Sequence, residues 1–419
     1  MGLALYNIFL FLYTAGIHLV ALWNKKAAQW VAGRRNNPVD QLPASTQTQT
    51  VWMHCASLGE FEQGRPLLES VKAAYPQSRI ILTFFSPSGY EIRKNYNAAD
   101  KVLYLPMDGP GQSRAFIEAI NPTLVLWVKY EYWYYYLHTL AKKNIPVLLV
   151  SGIFRQSQPF FKWYGGFWKT ILRSFDHLFV QTQSSQQLLA GIGVREHITV
   201  TGDTRFDRVI SIAEQWESPG EMIQQFCEGH PVIVAGSTWE EDEEELIHYA
   251  RTYPHIRFIF APHEISKERI ADLQQEFPQG ILYSSLANRQ AGTVINSNVL
   301  IIDNIGLLSR LYKCATIAYI GGGFNQSGIH NVLEAAVYGK PIVFGPVYEK
   351  FAEATALVDL GAAFSFETAL ELEDLLNKLL KDEALLKHTG AIAKDYVYSQ
   401  KGATATILDY IHRNRLLTN

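Results

Sequence analysis

The 419-residue chain has few of the residues that build metal centres or disulfide frameworks. It has three cysteines, Cys55, Cys227 and Cys314, and no two of them stand at the spacing of metal ligands. An odd, scattered set argues against a disulfide framework, so we expect small, buried, apolar cysteines in a reducing compartment. No Asp-x-Asp motif in suitable surroundings follows a predicted strand, and no His/Cys cluster occurs. The sequence therefore predicts no metal site.

Two catalytic motifs are also missing. The sequence has no G-x-S-x-G, the turn that carries the nucleophilic serine of α/β-hydrolases. No G-x-G-x-x-G follows the first predicted strand, which weighs against a dinucleotide-dependent dehydrogenase. The net charge of −3 provides no overall basic field for nucleic acid. We therefore expect no bound cofactor and no nucleic-acid partner.

Charged residues are absent from Leu3 to Trp23, and Lys25, Lys26 and Arg34 follow this apolar stretch. A helix that spans a bilayer needs about 20 apolar residues. A cleaved signal peptide carries its positive charge before the apolar core, whereas here the charge comes after it. We expect residues 1–35 to form an uncleaved membrane anchor or interfacial helix, with the body of the protein on the cytoplasmic side. The alternative is a helix buried in the first domain.

The rest of the chain alternates short apolar runs with helical patterns. Such runs, separated by helices, indicate buried parallel strands in βα units. Residues 36–50 are polar, contain two prolines and read as a linker; a second polar stretch, around 209–228, reads as a hinge. We expect an α/β protein with two Rossmann-like, doubly wound domains, at 36–212 and 229–395, and a C-terminal helix at 396–419 that crosses back to the first domain. Ligands of such sheets bind at the carboxyl ends of strands, which favours a site in a cleft between the domains.

A glycine turn follows a strand in the second half. Gly321, Gly322 and Gly323 end the run "TIAYI", and a helix is expected to start near His330. Glycines let the backbone approach a ligand, and a helix start suits a phosphate. Glu334, one turn further on, is placed to accept hydrogen bonds from ribose hydroxyls. The alternative is a tight strand–helix turn with an ordinary surface glutamate.

In the first half, "SLGE" (Ser57 to Glu60) leaves the first strand and enters a helix. We expect Glu60 to be ionised at neutral pH, because the helix dipole favours its charge. In a cleft it is suited to take a proton from an acceptor hydroxyl. The alternative is a glutamate that only stabilises the helix.

Two further strand ends of the first half carry charge. Lys129 and Glu131 lie among six aromatic residues, a composition unlike a core, and carbohydrate or a lipid edge is expected to pack on these rings: Trp127, Tyr130, Tyr132, Trp133, Tyr134 and Tyr135. Arg155 follows the next strand and is a candidate anion clamp. The alternative is that both segments are surface loops without a binding role.

Two strand ends of the second half carry polar groups. Ser237 and Thr238 are candidate phosphate donors, and most of the six acidic residues that follow, 240–245, are expected to form a solvated helix face. His263 lies at another strand end, where an imidazole is suited to phosphate or base. The alternative for His263 is a structural histidine.

Taken in order, these motifs resemble those of the 3-deoxy-D-manno-octulosonic acid (Kdo) transferases, glycosyltransferases of the GT-B fold. The resemblance begins at the apolar N-terminal helix and continues through "HCASLGE", "TFFSPSGYE", "VKYEYWYY", "SGIFRQS" and "VTGDTRFD". Its most specific parts are "IIDNIGLLSRLYKCATIAYIGGG" and "GIHNVLEAA".

The resemblance implies an inverting, metal-independent transfer of Kdo from CMP-Kdo to a lipid A precursor (lipid IVA) at the cytoplasmic face of the inner membrane. It implies Glu60 as the general base. Donor binding falls to Ser237, Thr238, His263, Gly321, Gly322, Gly323, Asn331 and Glu334. Acceptor binding falls to Ser57, Gly59, Lys129, Glu131 and Arg155. The alternatives are another GT-B enzyme that uses a UDP-sugar, and a membrane-tethered nucleotide-binding protein without catalysis.

Overall fold

A computed structural model describes residues 2–35, 49–287 and 297–418 of the chain. The chain divides into two compact units. Unit 1 comprises residues 1–208 and 401–419, and unit 2 comprises residues 209–400. Most of the predicted linker at 36–50 lies outside the described residues.

Unit 1 contains a seven-stranded sheet in which every pairing is parallel. Its strands are β1 (Thr50–Cys55), β2 (Arg79–Phe84), β3 (Lys101–Tyr104), β4 (Leu124–Val128), β5 (Val147–Gly152), β6 (His177–Val180) and β7 (Ile198–Val200). They lie in the order β3-β2-β1-β4-β5-β6-β7. The winding direction therefore reverses between β1 and β4, and such a switch point is where α/β sheets bind ligands.

Ten helices are described for this part of the chain: α1 (Gly2–Val20), α2 (Lys25–Arg35), α3 (Leu58–Ala74), α4 (Pro87–Arg93), α5 (Pro110–Ile120), α6 (Tyr134–Lys142), α7 (Gly166–Leu172), α8 (Gln183–Gly191), α9 (Thr204–Glu214) and α19 (Ala403–Arg413). The border between the units falls within α9. The last helix, α19, packs on α3. Asp207 of α9 accepts backbone N–H bonds from Gly402 and Thr404, at 2.7 and 2.6 Å, and so caps α19.

The first sheet is buried on both faces. Alternate residues of β1 enter opposite cores: Trp52 belongs to one apolar cluster, and Val51 and Met53 belong to the other. All three side chains are fully buried. Helices cover both faces, which is why these strands read as continuous apolar runs in the sequence.

Unit 2 repeats this architecture. Its strands are β8 (Val232–Thr238), β9 (Arg257–Pro262), β10 (Ile281–Leu282), β11 (Val299–Ile301), β12 (Ile317–Ile320), β13 (Ile342–Phe344) and β14 (Ala363–Ser365), in the order β10-β11-β9-β8-β12-β13-β14. All pairings are parallel, and the winding reverses between β8 and β12. The helices are α10 (Glu221–Cys227), α11 (Glu240–Thr252), α12 (Lys267–Glu276), α13 (Tyr283–Ala287), α14 (Leu308–Leu311), α15 (Leu333–Ala336), α16 (Ala352–Asp359), α17 (Ala369–Lys381) and α18 (Glu383–Ser399).

The predicted fold class is confirmed, with two Rossmann-like, doubly wound sheets and an apolar N-terminal helix. The segment read from sequence as a polar hinge is largely helical, because it holds the end of α9 and all of α10. The expectation of three buried cysteines is wrong for two of them. Cys55 is buried, but Cys227 and Cys314 are only partly buried.

Helix α1 is long and apolar enough to cross a membrane, and within it only Tyr6 and Leu10 are buried. Tyr6 donates a 2.6 Å hydrogen bond to Asp108, whose carboxylate also accepts the N–H groups of Tyr135 and Tyr136 at the start of α6. One stripe of α1 is thus fastened to unit 1. Tyr13 and Ile17 are partly buried, whereas other apolar side chains, such as Leu5 and Phe11, are exposed.

Candidate active site

Glu60 lies at the switch point of the first sheet, in the first turn of α3 directly after β1. Its side chain is buried, and its carboxylate accepts backbone N–H bonds from Ala56 and from Tyr130. Tyr130 follows β4, the neighbour of β1 across the switch point. Residues that follow two neighbouring strands, β1 and β4, therefore hold the carboxylate of Glu60. Ser57 and Gly59 flank it in the β1–α3 turn, where Ser57 is the N-cap residue and Gly59 is exposed.

Burial raises the pKa of Glu60 to about 7, and the negative charge of Glu131 contributes further. The backbone N–H bonds and Lys129 act in the opposite direction without cancelling this rise. The expectation that the helix dipole keeps Glu60 fully ionised is therefore wrong, because loss of hydration outweighs a dipole worth about 1 kcal/mol or less at a helix start. A carboxyl group that titrates near neutrality is well matched to proton transfer.

Glu131 follows β4 and belongs to a chain of buried polar groups. It accepts hydrogen bonds from Nε2 of His54 at 2.8 Å and from Nε1 of Trp133 at 3.0 Å. The other ring nitrogen of His54 lies 2.9 Å from the hydroxyl of Thr83, which accepts a bond from Trp52. His54 is fully buried. The network therefore holds the Glu131 carboxylate in one orientation beside Glu60.

Most of the aromatic residues around Glu131 belong to the core. Trp127 and Trp133 are buried members of an apolar cluster, and Tyr132, Tyr134 and Tyr135 pack against it. Only Tyr130 is substantially exposed among the six rings. The expectation that a ligand packs on these rings is therefore wrong for the buried Trp127 and Trp133, while Tyr132, Tyr134 and Tyr135 are partly buried.

The two cationic candidates of unit 1 differ in setting. Lys129 is partly buried and has φ = 56°, a left-handed conformation that is uncommon for a residue other than glycine and that recurs at functional sites. Its ammonium lies 5.0 Å from the centre of the Tyr130 ring. Arg155 follows β5 and is exposed.

Ser237 and Thr238 end β8 at the switch point of the second sheet. Ser237 is partly buried and, like Lys129, has a left-handed backbone, with φ = 55°. Thr238 is buried, and its hydroxyl donates a 2.6 Å bond to Glu243. Glu243 in turn pairs with Arg269. Of the two predicted phosphate donors, Ser237 is therefore the accessible one.

The three glycines after β12 are required by packing within unit 2. A Cβ atom on Gly321 would lie 2.3 Å from the carbonyl oxygen of Ser237, and one on Gly323 would lie 2.5 Å from the backbone nitrogen of Gly345. Gly322 has φ = 94°, which only glycine adopts readily. Close packing of the turn against neighbouring backbone therefore accounts for these glycines, and the approach of a ligand to this turn stays a prediction.

Asp242 organises this end of the second sheet. Its carboxylate accepts bonds from the N–H of Gly322 at 2.7 Å, the N–H of Trp239 at 2.9 Å and the hydroxyl of Tyr319 at 3.0 Å. Burial raises its pKa. Asp242 and Glu243 are buried, so two of the six acids expected on a solvated face instead hold the strand ends together.

An aromatic stack stands beside the glycine turn. The ring of His263, which follows β9, is stacked on Trp239 at 4.8 Å and on His330 at 4.4 Å between centroids. Nε1 of Trp239 donates to Nε2 of His330 at 3.1 Å. Burial, with the neighbouring His263, lowers the pKa of His330 to about 4, so His330 is neutral at physiological pH. His263 is exposed.

The helix expected near His330 begins only at Leu333 and has four residues, so its predicted start is wrong. Asn331 precedes it, accepts the N–H of Leu333 at 3.2 Å and donates to Glu334 at 3.1 Å. A helix of one turn has little dipole, so it adds little to phosphate binding, which stays a prediction. Glu334 is partly buried and oriented by Asn331, as a ribose ligand would require.

Comparison with known proteins shows which proteins this chain resembles. The family model described as 3-deoxy-D-manno-octulosonic-acid transferase (kdotransferase) matches residues 31–208. The 3-deoxy-D-manno-octulosonic acid transferase of Haemophilus influenzae is 26% identical over 395 residues, which cover 87% of this chain and 88% of that protein. The enzyme of the same name from Bordetella pertussis is 28% identical over 381 residues, with 86% of each chain covered.

The chain is thus similar to the Kdo transferases, by a family model over residues 31–208 and by relatives that cover most of its length. It is a glycosyltransferase. It is also 26% identical over 308 residues to a bifunctional glycosyltransferase/methyltransferase of Fusobacterium nucleatum, of whose length it spans 47%.

Solved structures agree on the fold of this Kdo transferase homologue. The UDP-GlcNAc 2-epimerase of Neisseria meningitidis matches with a TM-score of 0.60 and 16% identity, over 87% of this chain and all of that one. MurG of Acinetobacter baumannii matches with a TM-score of 0.54 and 13% identity, over 87% and 99% of the two chains. The predicted GT-B fold is thereby confirmed.

Three of the residues that shape the two strand-end regions were not singled out from the sequence: His54, Trp239 and Asp242. His54 is a polar residue inside an otherwise apolar strand, a signal that points to a buried hydrogen-bond network. Trp239 directly follows Ser237 and Thr238 at a strand end. Asp242 has no distinguishing signal, since it lies within a run of six acidic residues.

Proposed function

We propose that this chain transfers Kdo from CMP-Kdo to a lipid A precursor (lipid IVA), with inversion at the anomeric carbon and without a metal ion or cofactor. The observation that carries the proposal is Glu60, a buried carboxylate at a strand-end switch point whose pKa is about 7. Similarity to the Kdo transferases supports the sugar, because relatives across most of the chain carry that name.

In the proposed reaction, Glu60 takes the proton of the acceptor hydroxyl as that oxygen attacks the anomeric carbon. The bond from this carbon to the phosphate of CMP breaks with oxocarbenium character, and the leaving nucleotide gains negative charge. A general base of this kind contributes about 10²–10⁴-fold to a rate. The acceptor is bound by a set of residues in unit 1: Ser57, Gly59, Lys129, Glu131 and Arg155. The cationic side chains among them suit a phosphorylated or acidic sugar.

Unit 2 holds the nucleotide in this proposal. The phosphate lies near Ser237, Thr238, His263 and the Gly321–Gly323 turn. The ribose is bound by Glu334, which Asn331 orients. Thr238 and Gly322 act indirectly, because their donors already bind Glu243 and Asp242. Glu334→Gln is expected to weaken CMP binding by about 10-fold, since a charge-assisted hydrogen bond is worth about 1.5–3 kcal/mol. Calorimetry with CMP measures it, and unchanged affinity would remove the ribose contact from the proposal.

The N-terminal face is proposed to rest on the cytoplasmic surface of the inner membrane. Several apolar side chains of α1 are exposed, and so is Trp163, with an exposed fraction of 95%. Tyr6 of α1 packs on Phe167 of α7, 5.5 Å away, so α1 and the Trp163 segment are neighbours. Residues 2–35 and 156–175 contain lysines and arginines but no acidic residue. This composition suits anionic lipid, and the fastened stripe of α1 favours a helix lying in the interface.

Vesicle flotation tests the membrane contact. Trp163→Ala is expected to reduce binding to phosphatidylglycerol vesicles, because a large exposed interfacial ring is lost. Leu370→Ala, a change at an exposed apolar residue of α17, is the control. Equal flotation of both variants would count against Trp163 as a membrane contact.

Donor choice tests the function itself. Purified protein is assayed with CMP-Kdo and with UDP-N-acetylglucosamine against lipid IVA. Turnover only with CMP-Kdo supports the proposal. Turnover only with the UDP donor would establish another GT-B enzyme, and CMP binding without any turnover would establish a nucleotide-binding protein without catalysis.

A further inference from the structure

Two cysteines far apart in sequence meet on the surface of unit 2. Cys227 is the last residue of α10, and Cys314 ends the 3-10 turn Tyr312–Cys314 that leads into β12. Their thiol groups are hydrogen-bonded to each other. Both are partly buried and line the same pocket, of about 570 Å³, so small reagents reach them from solvent.

The surroundings make the two thiols unlike each other. The hydrogen bond from Cys227, together with the ammonium groups of Lys340 and Lys313, lowers the pKa of Cys314 to about 7. The pKa of Cys227 is raised by the same hydrogen bond and by burial, against the influence of Arg257. Cys314 is thus the nucleophile, and Cys227 is placed to resolve an adduct on it.

The remaining cysteine provides an internal reference. Cys55 lies in β1, is fully buried, and burial raises its pKa well above the ordinary value. An inert thiol and a reactive pair therefore occur in the same chain. None of the residues assigned to the donor or the acceptor lines the pocket of the pair.

We propose that Cys227 and Cys314 are a redox-sensitive dithiol. When a small-molecule disulfide oxidises them, they form a reversible disulfide with each other. The thiolate of Cys314 attacks one sulfur of the disulfide RSSR, whose S–S bond breaks and releases RS⁻. The deprotonated thiol of Cys227 then attacks the sulfur of Cys314 and expels the second RS⁻. Two protein thiols are oxidised, RSSR is reduced to two RSH, and the two protons lost by the cysteines are taken up by the released thiolates. The product links the end of α10 to the turn before β12.

The experiment treats the full chain in detergent with bis(2-hydroxyethyl) disulfide, a neutral probe, at pH 7. Mass spectrometry of a non-reduced digest is expected to show the peptides of Cys227 and Cys314 joined, two hydrogens lighter than their sum. Non-reducing electrophoresis is expected to show the monomer, and dithiothreitol should reverse the link. Alkylation of the reduced protein is expected to be at least 10-fold faster at Cys314 than at Cys55, because the pKa of Cys314 is lowered and its side chain lines a pocket, whereas Cys55 is fully buried.

Single variants separate the two roles. Cys227→Ser should stop at a stable mixed disulfide between Cys314 and the probe, and Cys314→Ser should leave Cys227 mostly unmodified. Cys55→Ser should still form the link. Absence of the linked peptides from both the wild type and Cys55→Ser would overturn the proposal. Equal alkylation rates at Cys55 and Cys314 in the folded protein would overturn it as well.

Discussion

The negative charge of Glu131 raises the pKa of Glu60 from across the switch point of the first sheet. Each carboxylate follows a different strand, β1 or β4, and these strands are neighbours. Glu131 is itself held by His54 and Trp133. The pKa of the proposed base is therefore raised first by burial and further by a side chain that the sequence places 71 residues away.

The first prediction concerns pH. Glu60 acts as a base only when ionised, so activity should rise with pH through about 7. Glu131→Gln removes a charge that opposes ionisation of Glu60, and the acidic limb of the kcat/KM profile should move to lower pH. Glu118→Gln, at an exposed surface pair, is the control. A profile that Glu131→Gln leaves in place would contradict this coupling.

Glu60→Gln separates catalysis from stability. Turnover should fall about 10²–10⁴-fold while CMP binding persists. A carboxyl group with a raised folded-state pKa contributes stability that is present at low pH and lost as pH rises through about 7. Glutamine does not ionise, so the variant should gain stability relative to the wild type between pH 5 and pH 8. Urea unfolding at the two pH values measures this, and wild-type turnover in the variant would remove Glu60 as the base.

Gly59→Ala distinguishes a helix residue from an acceptor contact. Gly59 lies in the first turn of α3, and a Cβ added to it meets no atom within 4 Å. Alanine should therefore raise the free energy of unfolding by up to about 1 kcal/mol. If the acceptor approaches this backbone, the KM for acceptor should rise in the same variant. Gly191→Ala, also in open space at the end of α8, should leave KM unchanged. An unchanged acceptor KM in Gly59→Ala would remove Gly59 from the site.

Asp242→Ala tests how the second strand-end region is held. Three donors lose their acceptor, the N–H groups of Gly322 and Trp239 and the hydroxyl of Tyr319. A buried unsatisfied donor costs about 1–3 kcal/mol, so a loss of about 3 kcal/mol or more is expected, with weaker CMP binding. Glu241→Ala, at the adjacent exposed acid, is the matched control. Denaturant unfolding and calorimetry measure both effects, and equal stability of the two variants would contradict the role of Asp242.

The fold could be predicted from sequence because each strand is buried on both faces. Runs such as Val232 to Ala235 carry no polar residue, and in the intervening helices apolar residues recur with the period of an α-helix. The order of strand ends along the chain then suggested which polar residues are candidates. Glu60 and His263 do follow β1 and β9 in the structure, and Ser237 lies at the end of β8.

Other features could not be predicted, because they depend on contacts between distant segments. A glutamate at a helix start is normally ionised, and only the depth of burial beside Glu131 reverses this for Glu60. The sequence around Glu131 predicts a binding surface of aromatic rings, but most of these rings lie in or against an apolar cluster that includes residues of α1 and α6. The helix expected at His330 begins only at Leu333, and His330 itself is stacked on His263, which lies 67 residues earlier in the chain.

By itself, the amino-acid sequence determined the two doubly wound sheets, the apolar N-terminal helix and the motifs that mark the family, because local periodicity and residue order encode them. Tertiary structure alone decided which of those groups are accessible, which are already hydrogen-bonded and how strongly each holds its proton. Burial and pairing are properties of neighbours in space, and those neighbours, such as Cys227 and Cys314, stand far apart in the chain.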